Sequence, residues 1–137
     1  MRRSDRGSVT IWMLGLSMLL LLFGGLSLDY WRGLAMQREL ASIADSAALA
    51  GASGIDEEHY RATGEVVLDV TRSRQLAMLS VDTQDVSPTS ISVSVTPGSV
   101  SVTVENTVEL LLLGVFIDDD EPLLVRGSAT ASPRLIP

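Results

Sequence analysis

The sequence predicts an α+β protein hung from a single membrane span: a long N-terminal helix, a second helix, then a small antiparallel β-sheet. Three observations predict it. Val9–Leu28 is a run of twenty residues without a charge. Helix-forming composition then continues without proline as far as Ala52. Further on, apolar residues stop recurring at helical spacing and alternate strictly with polar ones, beginning near Ile91.

At ~1.5 Å rise per residue, a helix over Val9–Leu28 is ~30 Å long, the thickness of a bilayer's hydrocarbon core. A cleaved secretory signal fits less well. Its apolar stretch typically runs ~7–15 residues and ends in a small-x-small site. Here Leu28 passes directly into Asp29, Tyr30, Trp31 and Arg32, and the nearest small-x-small triplet, Gly33-Leu34-Ala35, lies beyond them. The Arg2-Arg3 pair is followed by Ser4, Asp5 and Arg6 rather than an apolar step, unlike a twin-arginine signal. Arg2, Arg3 and Arg6 precede the span, whereas Asp29 and Arg32 nearly cancel after it. Cationic flanks stay cytoplasmic, so the expected topology is single-pass in the cell membrane with the N-terminus inside. The expected parts are residues 1–8 as a cytoplasmic N-terminus, 9–28 as the transmembrane helix, 29–54 as an Ala-rich stalk and 55–137 as an extracytoplasmic α+β domain. Tyr30 and Trp31 then fall at the interface, where amphipathic rings are favoured.

The 137 residues carry a net charge of −7, produced outside the span. All ten basic residues are arginine and form no stripe, which argues against nucleic acid as a partner. There is no cysteine, hence no disulfide and no thiolate chemistry.

Beyond the span, Leu34, Gln37-Arg38, Ala41, Ala44-Asp45 and Ala48 recur at helical spacing up to Gly51-Ala52-Ser53-Gly54, which ends the helix. Ala44 with Ala48, and Ala47 with Gly51, are small-xxx-small pairs that let another backbone approach closely. A second helix is expected from Asp56, as N-cap ahead of Glu57 and Glu58, to about Ser80. Val81–Val86 reads as a short edge strand. Ile91, Val93 and Val95 alternate with serine and threonine, as do Val100, Val102 and Val104, and Pro97-Gly98-Ser99 separates the runs. That is an antiparallel hairpin with one buried face. Val108–Ile117 is largely apolar but too short to span a bilayer, so it reads as core or as a loop against the membrane or a partner. A further strand is expected over Leu123–Thr130, with Leu123, Val125 and Ala129 on one face.

Residues capable of chemistry are few. His59 is the one histidine, beside Glu57 and Glu58, with no nucleophile or ligand set at catalytic or metal spacing, and reads as a surface residue. Asp118-Asp119-Asp120-Glu121 has the oxygens calcium wants but lacks the alternating spacing and glycine of a calcium loop. Gly24-Gly25 lies within the span and is no phosphate cradle. No catalytic, cofactor or metal residue is assigned. The candidate interaction residues are Asp29, which marks the membrane boundary or pairs with an arginine of a neighbouring subunit, together with Asp45, Ala44, Ala47, Ala48 and Gly51. Asp45 reads equally as a solvated position or a partner contact.

From Arg6 to Ala52 the sequence resembles the N-terminal region of the TadE/TadG-like proteins of tight-adherence (Flp-type) pilus assembly. In that family an Arg-Gly pair opens an apolar span, an acidic-aromatic pair closes it, and an Ala-rich helix ends in D-x-A-A-L-A-G-A. Here these elements are Arg6-Gly7-Ser8, Leu28-Asp29-Tyr30, Arg38-Glu39-Leu40 and Asp45-Ser46-Ala47-Ala48-Leu49-Ala50-Gly51-Ala52. Ala41 follows Leu40 where the family usually has glutamine, a departure that bears on TadE-like against TadG-like assignment. The resemblance implies a membrane-anchored, minor-pilin-like accessory without a catalytic centre. Its implied partners are the membrane, the assembly platform and other pilin-like subunits, met through the N-terminal helix in a homo- or hetero-oligomer. Without the resemblance, the anchor and acidic domain alone describe a free-standing ectodomain binding a cell-envelope ligand.

Pilins are commonly cut after a glycine, with glutamate fifth in the mature chain. Cutting after Gly7 would put Trp12 there, and Ser8–Leu28 contains no acid. Intact mass of the membrane-extracted protein is therefore expected to include residues 1–7; their loss would show processing after Gly7.

Overall fold

The computed structural model describes residues 5–110 and 122–134, with side chains from residue 8. It is α+β, as the sequence predicts: a long N-terminal helix, further helices and a three-stranded antiparallel sheet. The helix α1 spans Asp5–Ala52, 48 residues without interruption, or ~72 Å at the usual helical rise. Its last turn tightens, with Ser53 N–H donating to Ala50 O at 3.2 Å and Gly54 N–H to Gly51 O at 3.0 Å.

The expected single helix from Asp56 to Ser80 is instead two. Asp56 does cap α2 (Glu57–Thr63), accepting from His59 N–H at 2.9 Å. Gly64 then closes it at φ 75°, donating to Tyr60 O at 2.8 Å. A left-handed residue cannot continue a helix, and glycine takes that conformation without steric cost. The chain after it runs extended, bridging Ile55 to Leu68, with Asp56 N–H on Val67 O at 2.8 Å. A second cap, Asp69, accepts from Thr71 and Arg72 N–H at 2.9 and 3.1 Å and starts α3 (Val70–Asp82). Val81–Val86 is accordingly not a strand: Val81 is buried in the last turn of α3 and Val86 lies in the following loop.

The hairpin forms as the alternation dictates. β1 (Ser90–Thr96) and β2 (Ser99–Val108) pair from Thr96 with Ser99 through Val93 with Val102 to Ser90 with Glu105. β3 (Leu123–Ala131) adds to the far side of β2, giving the order β1-β2-β3. Residues 111–117 of the apolar run, and Asp118–Glu121, lie outside the described residues.

One face of the sheet meets the two long helices. Val100, Val102 and Val104 are fully buried against Leu40, Ile43, Ala44, Ala47 and Ala48 of α1 and Ala77 and Val81 of α3. The other face is polar: Ser101 and Thr130 share a hydrogen bond at 2.9 Å, and Arg126 Nε donates to Glu105 Oε1 at 2.7 Å. Small residues set the spacing. A Cβ on Gly127 would lie 2.4 Å from Leu40 C and 2.5 Å from Ala41 N, so β3 rests on the α1 backbone itself. Gly51 faces Val100 and Ala77, and Gly54 faces Ser73, whose buried hydroxyl donates to Gly54 O at 3.1 Å.

Gly127→Ala is expected to lower stability by ~1–3 kcal/mol, the usual cost of overpacking. Gly98→Ala, with open space around it, should stay within ~0.5 kcal/mol. Denaturant titration of the detergent-solubilised chain measures both.

Candidate membrane anchor and assembly surface

Among the described residues, α1 is the one helix long and apolar enough to cross a membrane. Its lower half is bare. Side chains such as Ile11, Trp12, Leu16, Leu20 and Phe23 are exposed and touch no other element's core. In water such a surface would be costly, but lipid tails are as apolar as leucine. The polar groups within it are satisfied locally. Ser17 Oγ donates to Met13 O at 2.9 Å and Ser27 Oγ to Phe23 O at 2.8 Å, so neither hydroxyl is orphaned.

Asp29 follows at the end of the uncharged run. It is only 3 % exposed, and the residue is not without a partner. It sits in a groove between α1 and the sheet, whose walls include Leu26, Tyr30, Leu34, Leu123 and Leu124. Sequence reasoning singled out Asp29 but not this groove. Its signals were the glycine inside a strand pattern at Gly127, which marks close backbone approach, and the Leu123-Leu124 pair, which breaks the alternation.

The four small candidates lie together in the upper half of α1. Ala44, Ala47 and Ala48 have no exposed surface and Gly51 is buried, all against the sheet and α3. The close approach that small residues permit is thus taken up within the chain. Asp45 lies on the opposite, exposed side. With Arg38, Ser42 and Leu49 it forms an outward stripe at helical spacing. Asp29, Asp45 and the alanine face are therefore three separate places, not one site.

His59 is half-buried on α2. Its Nε2 lies 3.7 Å from Glu65 Oε2 and makes no hydrogen bond. Among the described residues no group of three His, Asp or Glu side chains is placed to hold a metal ion.

Residues 7–54 match the model of a protein family described as putative Flp pilus-assembly TadE/G-like. The match covers α1 from Gly7 to its end and the turn at Gly54, and stops where the rest of the fold begins. The similarity is to that segment, about a third of the chain. No curated protein and no solved structure significantly matches the chain.

Ala48→Leu is expected to cost ~1–3 kcal/mol by overpacking under the sheet, whereas Asp45→Ala should change stability by less than ~0.5 kcal/mol. Thermal or denaturant unfolding in detergent separates the two.

Proposed function

We propose that this protein is a minor-pilin-like accessory of Flp pilus assembly or of the secretion linked to it, acting by assembly rather than by chemistry. The observation that carries the reading is α1 itself. It is one continuous helix, bare and apolar below Asp29, and sheathed on one side by a small sheet above Leu40. A subunit so built can be drawn laterally against other helices within lipid while its domain stands clear of the membrane. The family match over residues 7–54 supports it, since that match falls on the helix.

In this reading residues 1–8 are cytoplasmic, 9–28 cross the membrane, 29–54 form the stalk and 55–137 the extracytoplasmic domain. The N-terminal arginines support that orientation. Because Ala44, Ala47, Ala48 and Gly51 are occupied from within, the stripe bearing Arg38, Asp45 and Leu49 is the stalk's contact for a partner subunit. Asp29, held in its groove, orients the junction between span and domain.

Protease added to spheroplasts is expected to remove the residues beyond Tyr30; their protection until the membrane is permeabilised would reverse the orientation. Deleting the gene should reduce surface pili or the linked secretion. An Asp45→Ala, Leu49→Ser double variant should fail to restore them while remaining in the membrane at normal level. Normal piliation and secretion in the deletion strain, with no redundant paralogue, would leave an anchored module binding a cell-envelope ligand as the better account.

A further inference from the structure

The contacts between β3 and α1 fix how far the sheet reaches toward the membrane. Gly127 lies on α1 at Leu40 and Ala41, and Val100, the register partner of Ala131, lies against Gly51. Descending β3 from Ala131 to Gly127 therefore descends α1 from Gly51 to Leu40. Four residues further down is Leu123. At ~3.3 Å per strand residue and ~1.5 Å per helix residue, that step covers about nine helical positions and ends beside Trp31 and Tyr30. The groove in which Leu110, Leu123 and Leu124 face Leu26, Asp29 and Tyr30 shows the same height. It is the height at which the uncharged run Val9–Leu28 stops.

At that end the sheet departs from its own pattern. Higher up, the outer face of β3 carries Arg126, Ser128 and Thr130, all exposed and polar. At the bottom, Leu124 takes the outer position at 55 % exposed, and Leu123 is 46 % exposed on the inner one. Leucine thus occupies both sides of the strand where the chain's own core covers neither fully.

We infer that this end of the sheet rests in the membrane interface, with Leu123 and Leu124 set among the lipids, so that the domain has a second bilayer contact beside its span. The inference rests on reading α1 as a span. Lipid is favoured over a protein partner because the patch is continuous with Leu26 and Leu28, which are exposed on the span. It also shares its level with Tyr30 and Trp31, exposed rings of the kind that settle at interfaces. Two contacts hold the domain at one tilt to the membrane, where a span alone would let it swing.

The chain has no cysteine, so single cysteines report cleanly. Leu124→Cys, Ser128→Cys and Leu19→Cys, each labelled with bimane in the full chain, are placed in phosphatidylcholine–phosphatidylglycerol vesicles containing nitroxide lipids. The label at 124 is expected to be quenched at least twofold more than that at 128 by a shallow nitroxide, and to be shielded from aqueous iodide. The label at 19 is expected to be quenched by a deep nitroxide. If 19 is quenched but 124 behaves like 128, the interfacial contact is wrong and the span stands. If 19 is not quenched, the span reading fails and the contact falls with it. Iodide shielding at 124 without nitroxide quenching would assign the patch to protein and overturn the lipid contact.

Discussion

The contact of β3 with the backbone of α1, made at Gly127 where no side chain intervenes, depends on α1 remaining helical without a kink well past Asp29. A bend near Gly33 would swing Leu40 away from the strand and open the layer that buries Val100, Val102 and Val104. The helix avoids such a bend because proline is absent from Asp5 to Ala52 and its glycines are isolated or, at Gly24-Gly25, placed within the apolar run.

The same helix is composed differently along its length. Below Asp29 it presents large apolar side chains all round, which suits lipid. Above Leu40 it presents Ile43 with Ala44, Ala47, Ala48 and Gly51 on one side, and Ser42, Asp45, Ser46 and Leu49 on the other. Small residues bring α1 near enough to β2, β3 and α3 for a domain of three strands to bury a continuous core without disulfides. Burial is concentrated in valines of β2 because the middle strand alone has neighbours on both edges and helices beneath.

How much of this was legible beforehand follows from how local each signal is. The long apolar helix, the hairpin about Pro97-Gly98 and the Asp56 cap are each written in adjacent residues, and local patterning fixes them. The break at Gly64 is also local, yet one glycine in an apolar stripe reads as a tolerated weakness unless the second cap, Asp69, is seen to restart the helix. Gly127 carried the signal of a close backbone approach, but which backbone lies across from it is not written in the neighbouring residues. The alanine face was legible as a place of close approach, but its partner was not. A stripe of alanines is chemically the same whether a neighbouring subunit or the chain's own sheet packs on it, and only the return of the chain through β2 and β3 decides.

That decision shapes what remains for assembly. With the alanine face filled from within, a partner can meet α1 along the bare helix in lipid or along the outward stripe that bears Arg38, Asp45 and Leu49. The first surface is broad and apolar and holds no charge between Ser8 and Leu28, so packing there chooses by shape. The second carries one charge of each sign about two helical turns apart, and like charges opposed across a contact cost enough to reject a wrong register. In the proposed assembly the labour divides along these chemistries: the span supplies area for association, and the stalk, standing in water where charge is felt, supplies the choice of neighbour. The groove at Asp29 lies between these two surfaces, at the lower end of the packing between sheet and helix.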